Sequence, residues 1–405
     1  MISNRKMKIC IYAHSFPPII GGAQTYQYNL AIGLGKLGHE VLVLTGEIPD
    51  SLKTRIKDYE SPYFKVVRVS LFREAIKMKA PFRDLLINSF TILEKFDPDI
   101  VYSNGFIPCL LISMIKDSLR AKHIFSYHST PELDVNKLVG IWPGNLDFEL
   151  SIAKFIFKQG SFDAYLACSS NYLDTAKKNL NLRVKNAHRI YYGVDMNKFS
   201  HEIKVSREKY GFTDKDFIVL CPVRFIERKG ILDILKAISI LKPDIPNIKL
   251  LIPTSKLSST DEFIKLVLKL IKKLKIKNNV VIKSDVFLVE DMPKAYALSN
   301  MFVLPSYSEG LGIVLLEAMS MKKPVVATDI AGVNEVVKHN KTGLLVPIKS
   351  PKKLAEAMKI IYRDKKLTNH LIKNAYSAIK KEFELNKQVK KVEQFFKKVY
   401  GKNKL

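Results

Sequence analysis

Cysteine is scarce. Four thiols, at positions 10, 109, 168 and 221, are spread through 405 residues with no C-x-x-C pair and no close spacing. That excludes a disulfide scaffold and a zinc ribbon, and fits a reducing compartment. Glycine and proline contribute 18 residues each, too few for a collagenous or low-complexity chain. Long hydrophobic runs are missing as well. The longest, Gly105 to Ile115, falls well short of the roughly 18–20 residues that span a bilayer and reads as a buried helix. The first residues are basic, but the apolar stretch behind them covers only Ile9 to Ala13. A secretory signal needs about 7–15 apolar residues before its cleavage site. The expectation is a cytoplasmic protein, with a peripheral place on the inner face of a membrane left open.

Acidic side chains are in short supply, 39 against 66 lysines and arginines, for a net charge of +27. So basic a chain invites a nucleic-acid partner. It lacks helix-turn-helix, zinc-finger and aromatic RNP signatures, however, and no nucleic acid is expected. The excess is uneven. Residues 1–200 hold 26 basic and 18 acidic side chains, and residues 349–405 hold 17 and 5. Lysines on ordinary solvated faces, an anionic membrane surface and a phosphorylated substrate all fit that distribution. Hydrophobic residues at 47% and aromatics at 10% are ordinary for a globular protein. A chain of this length buries about three quarters of its unfolded surface without a staple.

What the sequence does have is alternation. Short apolar runs take turns with amphipathic stretches, the mark of α/β domains with parallel sheets. Strands are expected at 8–13, 40–45, 65–70, 100–103, 123–128, 165–169 and 188–192, with helices near 23–37, 82–96, 106–119, 149–159 and 171–180. The second half repeats the plan, with strands near 217–223, 249–253, 280–283, 301–305, 324–328 and 343–346. Its helices are expected near 231–241, 261–275, 291–299, 313–321, 333–339 and 351–363. A polar stretch from Asn197 to Arg207 separates the two series. The fold class is therefore α/β, two doubly wound Rossmann-like domains over 1–198 and 199–375, followed by a basic amphipathic helix over 376–405 that continues to Tyr400. Ligands of such domains sit at the carboxyl ends of the strands.

Two motifs are set aside. Gly33-Leu34-Gly35-Lys36-Leu37-Gly38 spells G-x-G-x-x-G, but it ends a helix instead of opening one, so Gly38 reads as a helix C-terminal cap. In Asp97-Pro98-Asp99 the proline breaks a helix ahead of a strand, and both aspartates are expected to face solvent. Three other stretches carry chemistry. Ser15 to Gly22 links the first strand to the first helix, where Gly21 and Gly22 let the backbone approach an anion at a helix N-terminus. Arg224 and Lys229 follow the first strand of the second series, placed for a diphosphate. Finally, Glu309-Gly310-Leu311-Gly312 forms a loop ahead of a helix starting at about Ile313, whose free N–H groups can cradle an oxygen. Glu317 lies just over one turn into that helix, at a spacing that lets both carboxylates sit beside one ligand.

On these residues the chain resembles the retaining glycosyltransferases of family 4, which have the two-domain GT-B fold. The likeness runs from SFPPIIGGAQTYQYNLAIGLGKLGHEVLVLT through RIYYGVDMNKF and CPVRFIERKG to the Glu309/Glu317 region. It implies an N-terminal acceptor-binding domain, a C-terminal nucleotide-sugar-binding domain, and a last helix that returns to the first. It also implies that Arg224 and Lys229 bind the donor diphosphate and Glu317 the ribose hydroxyls. Glu309, with Gly310, Leu311, Gly312 and Ile313, is implied to hold the transferred sugar. Gly21 and Gly22 resemble the family's loop near phosphate and acceptor, and His128 resembles its active-site histidine. The expected partners are a UDP- or GDP-sugar and a glycan, lipid-linked or small-molecule acceptor, with no metal and no other cofactor.

The chain departs from the family pattern at Leu251-Ile252-Pro253-Thr254-Ser255, where a glycine-rich turn is frequent. It departs again at Ser284 and Lys322, where glycine is usual, and at Asn334, which replaces a common proline. These touch the nucleobase pocket and loop shape, not the charged residues. The alternatives are GT-B relatives with other chemistry, an epimerase or a phosphorylase, and a sugar-nucleotide-binding protein without catalysis.

Overall fold

Strands buried along their whole length need cover on both faces, and the alternation of runs supplies it. The computed structural model describes residues 5–19, 21–48, 61–70, 82–126, 128, 155–156, 158, 162–178, 182, 185–254, 261–284 and 290–401. The helix expected near 149–159 lies almost wholly outside these. Two compact units emerge, Met1–Gly193 with Leu385–Leu405, and Val194–Glu384.

In the first unit β1 (Lys8–Ala13), β2 (Glu40–Gly46), β3 (Lys65–Val69), β4 (Ile100–Asn104), β5 (Lys122–Ser126), β6 (Ala164–Ala167) and β7 (Ala187–Arg189) form one parallel sheet in the order β3-β2-β1-β4-β5-β6-β7. The register aligns Ala13 with Asn104 and Asn104 with Ser126, so the carboxyl ends of β1, β4 and β5 finish level. Connecting helices are α1 (Gly22–Lys36), α2 (Phe82–Phe96), α3 (Phe106–Ile115) and α4 (Ser170–Lys178). Gly38 closes α1 at φ 87° with its N–H on the Gly35 carbonyl, as a C-terminal cap. Pro98 follows the end of α2, but only one neighbouring aspartate behaves as expected. Asp97 is exposed, whereas Asp99 is partly covered and accepts from the Lys8 amide at 2.9 Å and the Arg5 guanidinium at 3.3 Å. It locks the start of β1 to the start of β4.

In the second unit β8 (Phe217–Leu220), β9 (Ile248–Thr254), β10 (Val280–Ser284), β11 (Met301–Leu304), β12 (Val325–Thr328) and β13 (Leu344–Val346) pair in parallel as β10-β9-β8-β11-β12-β13. The helices are α5 (Ile231–Leu241), α6 (Glu262–Lys273), α7 (Met292–Leu298), α8 (Ile313–Ser320), α9 (Val333–Val336), α10 (Pro351–Arg363) and α11 (Lys365–Ala378). The polar stretch expected to be a linker is part of this unit. Phe199 accepts from the Ser320 hydroxyl at 2.7 Å, and Arg207 donates to the Leu298 carbonyl at 3.1 Å and to Asn300 at 2.9 Å.

The basic C-terminal segment is not one helix. A π-helical turn at Ile379–Phe383 and extended Glu384 interrupt it before α12 (Leu385–Gly401). The Val194 amide donates to Phe383, and Val194 pairs with Glu384, so the two passages of the chain lie side by side. The breaks expected at 198/199 and 375/376 accordingly fall at 193/194 and 384/385. Helix α12 belongs to the first unit. Phe396 packs on Tyr102 with ring centroids 5.3 Å apart, Phe395 on His188 at 4.9 Å, and Val399 is buried with them. The apolar stripe that invited a bilayer is internal.

Candidate active site

Both sheets reverse strand order once, between β1 and β4 and between β8 and β11, and in doubly wound domains it is beyond the carboxyl ends of the strands at such a reversal that ligands bind. In the second unit, the loop after β8 carries Arg224 and Lys229 and the loop after β11 carries Glu309 to Gly312. Their backbones are fastened together. The Tyr307 amide donates to the Arg228 carbonyl at 2.7 Å, and the Arg228 guanidinium donates to the Ser308 carbonyl at 3.2 Å. Below, the Tyr307 hydroxyl donates to Asp233 of α5 at 2.8 Å. Two glycines permit this closeness. Gly230 (φ 66°) faces the Pro305 carbonyl, and Gly332 (φ 85°) faces the carbonyls of Glu309 and Gly310; a methyl group on either would strike backbone. Neither position has room for a side chain, nor a φ that suits one.

In this frame Lys229 and Glu309 form an ion pair at 2.5 Å, with 14% and 11% of their side chains exposed. Burial works against both charges. For Glu309 the Lys229 ammonium more than compensates, aided by Arg228, and holds the carboxyl below its ordinary range. For Lys229 burial prevails over Glu309, and the cationic Arg228 and Arg224 press its pKa down further. Arg224 itself is exposed. Gly312 precedes α8, which starts at Ile313, and Leu311 and Ile313 are buried beneath the loop. The first amides of α8 are the unbonded donors of a helix start.

Glu317, also on α8, has quite different surroundings. It is buried, and its Oε2 accepts from the Tyr296 hydroxyl of α7 at 2.7 Å. Burial raises its pKa to about 7, against the opposing effects of Tyr296 and Lys198. The two glutamates are thus not a matched pair. One is an anion clamped to a cation, and the other titrates near neutrality.

The remaining candidates lie in the first unit. Gly21 and Gly22 stand at the start of α1, and no side chain caps the helix. The loop before them is anchored by Phe16, fully buried between Tyr28 and Phe64, and by Arg68, which donates to the Pro17 carbonyl at 2.7 Å. His128 lies level with Asn104, and both its nitrogens are engaged: Nε2 with Asn104 Oδ1 and Nδ1 with the Tyr192 hydroxyl, each at 2.6 Å. The Asn104 amide nitrogen bonds the Tyr102 carbonyl, leaving Oδ1 as the acceptor toward His128. His128 therefore carries its proton on Nε2 and accepts from Tyr192 on Nδ1. Burial, with His14 nearby, lowers its pKa to about 3, so the ring is neutral. Its geometry is that of a fixed hydrogen-bond pivot without a lone pair to spare.

Sequence reasoning missed Tyr296, Arg228, Gly332, Asn104 and Tyr192. Tyr192 lay inside RIYYGVD and Arg228 inside CPVRFIERKG, so both were in view. Nothing in the sequence alone pairs Tyr296 with Glu317, 21 positions apart on different helices.

Two family models match in succession. "Glycosyltransferase Family 4" covers residues 20–198, and "Glycosyl transferases group 1" covers residues 202–378. Along almost its whole length the chain is similar to N-acetyl-alpha-D-glucosaminyl L-malate synthase of Bacillus anthracis, 23% identical over 396 residues, 96% of this chain and 97% of that one. Among solved structures, sucrose-phosphate synthase of Thermosynechococcus elongatus matches with a TM-score of 0.83 and 20% identity, over 97% of this chain and 99% of that one. HepE of Anabaena, in complex with UDP-glucose, matches at 0.76 and 19% over 96% and 99%. These structures have the same arrangement of two parallel sheets flanked by helices. With successive models spanning both halves and the same fold in its structural neighbours, the chain belongs to the family 4, group 1 glycosyltransferases and has the GT-B fold.

Proposed function

We propose that this enzyme transfers a sugar, with retention at the anomeric carbon and without a metal, from a UDP- or GDP-sugar to a glycan, lipid-linked or small-molecule acceptor. The observation that carries the proposal is the Lys229–Glu309 pair beside Arg224 and the start of α8. Cleavage of the anomeric C–O bond leaves positive charge on the sugar and negative charge on the departing diphosphate. Lys229, Arg224 and the α8 amides oppose the second charge, the kind of preorganised electrostatic effect that usually dominates catalysis. Glu309 faces the first. The acceptor attacks from the leaving-group face, and the diphosphate takes its proton. His128, neutral and held on both sides, shapes the active site together with Asn104 and Tyr192 and does not act as a base. Gly21 and Gly22 approach phosphate and acceptor. The UDP-glucose bound by HepE supports a uridine donor, and the malate acceptor in the name of the Bacillus relative supports a small polar one.

Screening nucleotide-sugars by thermal shift identifies the donor, since a ligand at 100 times its Kd stabilises by ~2.7 kcal/mol. Turnover of that donor is expected to survive EDTA; activity lost in EDTA and restored by magnesium or manganese would overturn the metal-free mechanism. Transfer requiring an acceptor separates this function from epimerisation, and the absence of any phosphate requirement separates it from phosphorolysis.

A further inference from the structure

Glu317 of α8 has no cation bonded to it among the described residues. What it has is Tyr296. That side chain is fully buried in α7, its ring stacked on Phe302 of β11 (centroids 5.8 Å apart, interplanar angle 24°) and edge-on to Phe199 (5.7 Å, 82°). Rings on both sides fix where its hydroxyl points. It points at α8, 2.7 Å from Glu317 Oε2 and 3.2 Å from the Val314 carbonyl. A phenol has a single proton. Given to the carboxylate it makes the shorter of the two bonds, and Oε1 is left without a protein donor among the described residues.

We propose that Tyr296 is a positioning residue for nucleotide recognition: its hydroxyl holds Oε2 by donating to it, and so favours the carboxylate form of Glu317 that can accept from a vicinal diol. The proposal rests on the assignment of Glu317 to the ribose. A neutral carboxylic acid offers one good acceptor and one competing donor, whereas a carboxylate offers acceptors only. Two ribose hydroxyls therefore need the anion, in a place where burial disfavours it. A hydrogen bond to the charged form counters that cost. The groups that act on the carboxylate are Tyr296 from α7 and Lys198 from the segment before β8. α9, α11, β12 and the π-helical turn at Ile379–Phe383 also pack on α8; that turn carries Lys380, Lys381 and Glu382, but the groups that shift the Glu317 carboxyl are Tyr296 and Lys198.

The test compares UDP or GDP, whichever binds the wild-type protein, with its 2′,3′-dideoxy analogue between pH 5.5 and 9. The analogue titrates its phosphates identically, so the ratio of the two Kd values isolates the diol. In the wild type this ratio should fall about tenfold on acidification from pH 8 to pH 6, following Glu317. Tyr296→Phe should move the midpoint up by about one pH unit, weakening diol recognition several-fold at pH 7 and recovering it near pH 9, with kcat on the bound donor unchanged. Glu317→Gln should make the ratio independent of pH, and adding Tyr296→Phe to it should change the ratio no further. A midpoint unmoved in Tyr296→Phe, with only the melting temperature lowered, would reduce Tyr296 to packing and overturn the proposal. A Glu317→Gln protein with wild-type diol preference, or no binding of either nucleotide, would instead overturn the ribose assignment and the inference built on it.

Discussion

Glu309 and Glu317 are eight positions apart and of one chemical type, yet neighbours make them different reagents. On the proposed function, the Glu309 carboxylate and the donor diphosphate compete for Lys229. Replacing Glu309 with glutamine should therefore leave nucleoside diphosphate binding as tight or several-fold tighter, because the ammonium is released to the ligand. On the same proposal the change removes the negative charge that faces the developing sugar cation, so kcat should drop by ~10²-fold. Calorimetry with UDP or GDP beside steady-state kinetics checks both halves; a diphosphate affinity that falls along with kcat would contradict the competition. Glu317 affects stability instead. Its folded pKa of about 7 exceeds the ordinary 4.5. The folded state thus binds more protons between these values, and stability is present below about pH 4.5 and lost as pH rises through about 7. Glu317→Gln should remove that loss. The melting-temperature gap between variant and wild type should widen from pH 5 to pH 8, by at most about 3 kcal/mol in free energy. The charged residues of the site were legible because charge at a strand end is a local signal. Their partners were not, since Tyr296 and Asn104 look like ordinary core and strand residues until the sheet brings them near. Lys322, where a glycine is usual, keeps the left-handed backbone (φ 52°) and rests its ammonium over the Tyr376 ring at 4.8 Å. That departure is a local accommodation.

At the scale of elements, the amphipathic period placed most helices and strands to within a residue or two, because burial on one face writes itself into the sequence. It could not show what a helix is buried against. Gly33 demonstrates the difference. The G-x-G-x-x-G run closes α1 instead of opening it, and its first glycine is where α12 arrives: a methyl group there would lie 2.6 Å from one Val389 methyl carbon and 2.8 Å from the other. Gly33→Ala should destabilise by ~1–3 kcal/mol through overpacking, and a second change, Val389→Ala, should recover part of that instead of adding to it. Urea titration of both single variants and the double measures the coupling; strict additivity would mean that the helices do not meet there. The interruption at 379–384 escaped sequence reading for a related reason. Lysine-rich amphipathic residues continue through it, and only the return to the first unit demands the turn.

For the whole molecule, a net charge of +27 invites anionic surfaces, but the residues that would insert into a bilayer from the C-terminal segment already serve as core. No described helix is long and apolar enough to cross a membrane. Vesicle binding through that segment should then be electrostatic alone. Co-sedimentation with anionic phospholipid is expected at low ionic strength and to fall steeply toward physiological salt. Binding that persists in salt and vanishes on Phe395→Ser would show the stripe to be available after all. Fold class and two-unit plan were legible from alternation and motif order. The unit boundaries were not, because polarity alone does not distinguish a linker from a segment anchored to its unit by groups such as the Phe199 carbonyl and the Arg207 guanidinium.

The return of α12 to the first unit also sets a timetable. During synthesis the first seven strands are complete once Gly193 has emerged, but the surface of Tyr102, His188 and Gly33 waits for Leu385–Gly401. At ~5–20 residues per second, the intervening unit keeps the ribosome occupied for about 10–40 s. For that interval the nascent first unit is an unfinished object with an open apolar seam, while the second unit, continuous in sequence, can mature first. A protein whose earlier half is sealed last places its demand for chaperones at the beginning of the chain and late in translation.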